Sequence, residues 1–433
     1  MEIPPQQAPA TFSALTNMLN TFTRHATNSF VTFLTGLLVL SLSAVPMPLI
    51  PQGQSAAAPS DISEKIYKLQ SSLIHGEVTG SNVVLVVKNG KTIYHEVANS
   101  GKRGDRDIKE DTIFPIWSMS KPITIVAMLA LHEQGLFEWS DPVSEYLPCF
   151  ENLTVRAGEG VRDAKSPLLI EHLMAHRSGY IYYSFPEPMP PPYGSPHPNQ
   201  TRYQDLQEFI EAAAREPLIF EPGTSFAYGI NQAILGRLVE VLSGQSFYDY
   251  LKQTLFDPLG MTQTSFVLDA DRRERFQPLF INSGQLKGFT PLLDELTYTS
   301  TSQAHFGGEG LVSTLGDYSR FCEMLVNGGE FRGERIISED SIATMTKTTT
   351  PNFDPTFMPG FDMGFSVAVC KNSSLEGTKA PSGLFGWSGY HNTHFWIDPA
   401  TGLYAIFMSR AREFNFNIPK ELRAAIYGAS GPL

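Results

Sequence analysis

The chain has 433 residues, 42% of them hydrophobic and 18% charged, which is enough to build a large core and excludes general disorder. Its formal charge of −12 at pH 7 argues against a nucleic-acid or anionic-membrane partner, either of which would want a basic face. Three cysteines, Cys149, Cys322 and Cys370, lie far apart with no Cys-x-x-Cys, so they form neither a disulfide framework nor a zinc site.

Residues 30–50 are largely apolar. The run from Phe30 to Val45 falls short of the roughly 20 residues a membrane span needs, and Pro46 and Pro48 break it. Arg24 and His25 precede it, and Ala56-Ala57-Ala58 follows as at a processing site. Residues 1–58 therefore read as a leader, a signal peptide or signal anchor, with a mitochondrial-type or incidental hydrophobic segment as the alternative. The protein would be exported, as a secreted, periplasmic or membrane-anchored form, with any membrane association made through this segment. Residues 59–433 form the folded domain.

Asp61, with Glu64 three residues on, opens a helix with Ile62, Ile66, Leu69 and Leu73 on one face, and Gly76 ends it. In SNVVLVVKNGKTIYHEV two β-rich runs flank Asn89-Gly90, a hairpin signal. SMSKPITIVAMLALHEQ (118–134) reads as a helix beginning close to Ser118, because Pro122 is tolerated only in a first turn. It is apolar on most of its circumference, so it belongs in the core. From about 140 to 300 the patterns are mostly helical: Leu168–Ala175, Leu206–Arg215, and Ala233–Leu242 ended by Gly244. Between them SFPEPMPPPYGSPHPN (184–199) holds seven prolines. It reads as a stiff extended loop, either a surface excursion or a wall over a cleft. Strand patterns return at Gly364–Cys370, Thr393–Ile397 and Leu403–Met408, with a turn over Asp398–Gly402, and a helix over Pro419–Tyr427 closes the chain. β elements at both ends around a helical middle predict an α/β (α+β) fold: an antiparallel sheet from both chain ends, flanked by helices, with an all-helical region inserted at about 140–300.

The chemistry concentrates at Ser118-Met119-Ser120-Lys121. Residues i and i+3 share a helix face, so the Lys121 amine can reach the Ser118 hydroxyl. A buried lysine can lose its proton and serve as a base, and the helix N-terminus adds positive potential beside the nucleophile. Ser120 has no lysine three residues on, which makes Ser118 the candidate.

Further motifs follow in order: EPGTSFAYGINQAILGRLVEVLSG and FGWSGYHNTHFWIDP, with EHLMAHRSGY, FDPLGMT and GGEGLVST between or before them. The chain thereby resembles, over roughly residues 62–412, the serine-reactive β-lactamase and penicillin-binding-protein superfamily. Within it the similarity is greatest to the branch of class C β-lactamases, family VIII esterases and lovastatin-type acyltransferases. That resemblance implies a β-lactamase/transpeptidase-like fold with the active site between sheet and helices. It makes Ser118 the acylated nucleophile, Lys121 the group that takes or tunes its proton, and Tyr228 a partner base, as phenol or phenolate. The N–H groups of Ser118 and Tyr390 become the oxyanion hole, and Trp387-Ser388-Gly389 occupies the third-motif position against the substrate.

Two departures matter. β-Lactamases and peptidases of the superfamily carry Lys-Thr-Gly or His-Thr-Gly where this chain has Trp387, and a neutral indole cannot hold a carboxylate electrostatically. Their second motif is Tyr-x-Asn, whereas here Asn231 comes one place late, a step of about 100° on a helix. Asn231 and His391 complete the candidate substrate contacts. The expected reaction is thus acyl transfer from a small-molecule ester by a carboxylesterase or acyltransferase. A D,D-peptidase or weak β-lactamase is the first alternative, and a membrane-associated scaffold with little turnover the second.

No metal or organic cofactor is expected. His172 and His176 have zinc-like spacing, but they lack the His-Glu-x-x-His base and fall inside a family phrase. No Gly-x-Ser-x-Gly elbow accompanies a Ser-His-Asp triad. Gly307-Gly308-Glu309-Gly310 lacks the Gly-Lys-Ser/Thr ending of a phosphate loop and reads as a tight turn near the cleft.

Overall fold

A computed structural model describes residues 61–182, 203–284, 287–290, 298, 301–351, 353, 354, 356 and 358–431. The expected leader and the proline-rich stretch 184–199 lie outside these residues.

The chain begins with helix α1 (Asp61–His75). Its buried face is Ile66, Leu69 and Leu73, and the Gly76 amide closes onto Ser72 O (2.8 Å). Strands β1 (Asn82–Lys88) and β2 (Lys91–Ala98) follow as a hairpin. Its two-residue turn has Asn89 and Gly90 both at positive φ (49° and 71°), the geometry whose twist matches the strands. Helix α2 (Ser120–Glu133) is buried continuously from Ser120 to Leu131, as its all-round apolar pattern requires.

The middle of the chain carries helices Leu206–Ala213 and α3 (Asn231–Ser243), the latter ended by Gly244 at φ 71°. This part is not purely helical. A hairpin pairs Thr154–Ala157 with Gly160–Asp163, and a second small sheet joins Leu279–Ile281 to Gly288–Thr290. Both are short and carry no extended apolar run, so a search for core elements passes over them. Helix α4 (Leu315–Val326) then leads to β3 (Phe361–Met363), β4 (Ala368–Cys370), β5 (Phe385–Gly389), β6 (Thr393–Asp398) and β7 (Leu403–Ser409). The expected strand over Gly364–Cys370 is shorter, Ala368–Cys370 only, because residues 364–367 form the turn that joins it to β3, closed by Gly364 N to Val367 O (2.9 Å). Helix α5 (Asn417–Tyr427) comes last.

The principal sheet is antiparallel throughout, in the order β3-β4-β5-β6-β7-β1-β2, so strands from the two ends of the chain are neighbours, as expected. Side-chain alternation gives it two buried faces. Val83, Leu85, Phe395, Ile406 and Met408 join α2, α3 and α4 in the larger core. Val84, Val86, Trp396, Ala405 and Phe407 pack under α1 and α5. Within that second layer Arg423 of α5 makes a bidentate pair with Glu376 (2.8 and 2.6 Å), both side chains under a tenth exposed.

Removing one partner of such a pair leaves an uncompensated buried charge. Glu376→Gln should lower unfolding stability by about 3 kcal/mol, read from urea unfolding midpoints.

Candidate active site

Strand Ile113–Pro115, paired with Val312–Thr314, delivers the chain to a single 3₁₀ turn, Trp117–Met119, and then to α2. Trp117 has φ 46°, a left-handed conformation that costs a bulky residue about 1–3 kcal/mol. It turns the chain so that Ser118 lines a cavity of about 390 Å³. Tyr318 of α4 fastens the turn through its hydroxyl to Met119 O (3.0 Å).

Lys121, one turn on, is completely buried. Its amine donates to Gly308 O (2.7 Å) and Tyr182 Oη (2.8 Å) and lies 3.0 Å from Ser118 Oγ. Tyr182 in turn donates to the buried Glu309 carboxylate (3.2 Å). Burial pulls the Lys121 amine down to about 7, and the nearby Glu309 charge opposes that pull. The donor count then has one solution for the neutral amine. Its two N–H bonds go to Gly308 O and Tyr182 Oη, and its lone pair faces the Ser118 hydroxyl. The loop that supplies Gly308 sits hard against α2 and α3. A Cβ on Gly307 would stand 2.6 Å from Thr124 Oγ1 and 2.7 Å from Gln232 O.

Tyr228 hydrogen-bonds Ser118 from the other side, and its ring lies 4.6 Å below the Lys121 nitrogen. Burial raises its phenol, while hydrogen bonding with Ser118 and with the Trp387 N–H acts against that rise, so Tyr228 is a phenol at neutral pH. Trp387 on β5 does not reach outward in place of the missing cation. Its indole N–H donates to Tyr228 Oη (3.1 Å). Gly389 lies close to the serine turn, where a Cβ would stand 2.3 Å from Ile116 O. The next residue, Tyr390, packs edge-on to Trp117 (ring centroids 5.3 Å) and lines the cavity with Ser118.

Two expected substrate contacts lie elsewhere. Asn231 is wholly buried at the start of α3, where its amide accepts from Ser178 Oγ (2.5 Å) and pairs with His176 Nδ1 (2.8 Å). The one-place delay relative to Tyr-x-Asn rotates it behind Tyr228. His391 is 1% exposed and packs edge-on against Trp117 (4.8 Å), away from the cavity lining. Ser388 does line the cavity, and its hydroxyl meets His394 Nδ1 (2.7 Å). Burial lowers His394 to about 3 and His176 well below its usual value, so both rings are neutral.

Sequence reasoning missed three residues. Tyr182 and Glu309 complete the shell around Lys121, and His176, weighed only as a metal ligand, lies tilted against Tyr228 with ring centroids 4.8 Å apart. Glu309 and His176 lay inside the family phrases, while Tyr182 carried no spacing signal. His172 has a separate partner, the Leu169 amide (3.2 Å), so the two histidines do not converge.

Fold and site together define a serine hydrolase. The chain matches the Beta-lactamase family model over residues 74–428 and belongs to that family. It is 29% identical over 336 residues to Protein Rv1367c of Mycobacterium tuberculosis (strain ATCC 25618 / H37Rv), spanning 70% of this chain and 80% of that protein. It is 26% identical over 380 residues to Esterase EstB of Burkholderia gladioli, spanning 81% and 88%. The solved structure of EstCE1, a hydrolase with promiscuous acyltransferase activity, shares the fold at TM-score 0.70 with 22% identity, over 85% of this chain and 99% of that one. No helix among the described residues is long and apolar enough to cross a membrane.

If the neutral amine is the base, kcat/KM for a neutral ester should rise as pH climbs through about 7 and then stay level until the Tyr228 phenol ionises, well above 10. Lys121→Arg, charged at every working pH, should lose about a hundredfold or more at the plateau. Gly307→Ala should reduce turnover sharply by displacing Gly308 from the amine, as steady-state kinetics will read.

Proposed function

We propose that this protein is a carboxylesterase, able to pass the acyl group to alcohols as well as water, that works through an acyl-enzyme on Ser118. The Ser118 proton passes to the Lys121 lone pair as Oγ bonds the ester carbonyl carbon. The N–H groups of Ser118 and Tyr390 hold the oxyanion, each such donor contributing about 3–4 kcal/mol. As the carbon–oxygen bond of the ester breaks, the departing alkoxide takes the proton that the Lys121 ammonium carries, with the Tyr228 phenol beside Ser118 to stabilise the leaving oxygen. Water or an alcohol then attacks the acyl-enzyme by the reverse proton path, freeing Ser118.

The observation that carries the ester assignment is the Trp387–Tyr228 hydrogen bond. The residue at the cation position of the third motif is spent inside the catalytic network, on a phenol. The charged residues among those lining the cavity are Asp354 and Arg423, and Arg423 is paired with Glu376. A β-lactam or a D-Ala-D-Ala carboxylate finds no unpaired cation among the described lining residues. The likeness to Esterase EstB supports the same reading.

The test is turnover of a short-chain aryl ester and a chromogenic cephalosporin by the full chain and its Ser118→Ala variant. Ester turnover that vanishes in the variant, with the cephalosporin barely cleaved, is the expected result. A preference for the cephalosporin makes the protein a lactamase or peptidase, and ester turnover that survives Ser118→Ala removes Ser118 as nucleophile. Trp387→Phe, which keeps the ring and deletes the donor, should lower kcat for the ester by about tenfold and should not create cephalosporin turnover.

A further inference from the structure

The cavity at Ser118 does not end on the catalytic face of the sheet. β4 pairs with β5 only through Ala368–Gly386 and Val369–Phe385, so from Trp387 to Gly389 that edge of β5 has no neighbour from β4. Lining residues come from both faces. Ser118, Tyr228 and Trp387 stand on the α2 side, whereas Phe361, Ala368 and Trp396 belong to the layer under α5. The space therefore passes round the sheet edge, over Trp387, into a distal lobe walled by Met358, Phe361, Ala368, Leu384, Trp396 and Pro419.

The floor of that lobe is electrically closed. Arg423 lines it, but its Nε and Nη2 are committed to Glu376 (2.8 and 2.6 Å). Its guanidinium also lies against the rings of Phe361 (5.1 Å) and Trp396 (5.6 Å). The pair presents no net charge to a guest. The whole cavity, catalytic end and lobe together, has a volume of about 390 Å³, within the range of pockets that bury most of a small ligand. What fits such a lobe is hydrocarbon.

We propose that the distal lobe is a subsite for an uncharged, extended hydrocarbon arm of the ester, so that this enzyme selects medium-length or bulky apolar esters. The inference rests on the esterase reading above and names its substrate class. The arm can be the acyl chain or the alcohol, since both leave the same carbonyl. Each methylene that leaves water is worth up to about fourfold in kcat/KM.

Two ester series measured on the full chain decide this: acetyl, butanoyl and octanoyl esters of one aryl alcohol, and acetyl esters of ethanol, butanol and octanol. A stepwise rise in kcat/KM in one series is expected and shows which arm enters. An octanoyl chain ending in a carboxylate should lose that rise. Met358→Trp, in a surface-side loop of the lobe, should flatten the rising series while acetyl aryl ester turnover stays unchanged. If that variant loses acetyl turnover too, Ala368→Leu on the facing wall carries the test in its place. Flat series in the wild type, with acetyl turnover still dependent on Ser118, overturn the subsite and leave the esterase intact. No turnover of any ester, with no fluorophosphonate labelling of Ser118, overturns the esterase reading and this inference with it.

Discussion

The Lys121 nitrogen is wholly removed from water, and an ammonium held there would forfeit several kcal/mol of hydration unless fully repaid by partners. Its surroundings repay it only in part. The three groups within hydrogen-bond reach, the Gly308 carbonyl, the Tyr182 phenol and the Ser118 hydroxyl, are all uncharged, while the nearest carboxylate, Glu309, is reached through Tyr182 and not directly. The outcome is an amine that releases its proton near neutrality beside a serine hydroxyl. Were Glu309 in direct contact, the ammonium would be favoured and the base lost. Tyr182 is therefore as important for the distance it enforces as for the bond it makes.

The fold exists, in functional terms, to keep that amine dry and in register. The continuously buried α2 holds it from behind, the glycine-rich turn at 307–310 closes over it, and the end of β5 brings Trp387 and Tyr390 to the far side. Trp387 serves two layers at once. Its indole N–H orients the Tyr228 phenol, and its ring packs against both hydrophobic clusters at the sheet edge. On the proposed reading, exchanging the family's cation for this indole changes the substrate that can be held without disturbing the proton path. On that reading ionic anchoring gives way to apolar contact, for which the cavity lining past β5 supplies the surface.

The serine and lysine were legible because their relation is local: three residues on a helix define it. Tyr228 and Trp387 were legible only through motif order, since 159 residues separate them and no spacing rule joins them. The hairpin at Asn89-Gly90 and the helix ends at Gly76 and Gly244 follow from backbone chemistry alone, and the structure has all three. Tyr182 could not be read, because it meets Lys121 across 61 residues by packing and carries no signal of its own. Asn231 and His391 sat in the right phrases but on the wrong faces. A single-residue offset on a helix, or a turn after a strand, decides whether a polar group faces the cavity or the core, and the core had its own partners for both. The strand expected over Gly364–Cys370 begins late, at Ala368, because Gly364 and Ser366, the latter at φ 52°, allow a tight reversal that apolar patterning does not register.

The central claim is that Lys121 is neutral in the resting site at physiological pH. It is tested most directly by NMR titration of the lysine ε-carbons in protein labelled with ¹³C-lysine, with the Lys121 resonance assigned by its absence from Lys121→Arg. A midpoint near 7 for that one resonance, apart from the other lysines, is the expected result. A Lys121 resonance that titrates with the surface lysines, near their usual value of about 10.4, would contradict it and move the base function to another group.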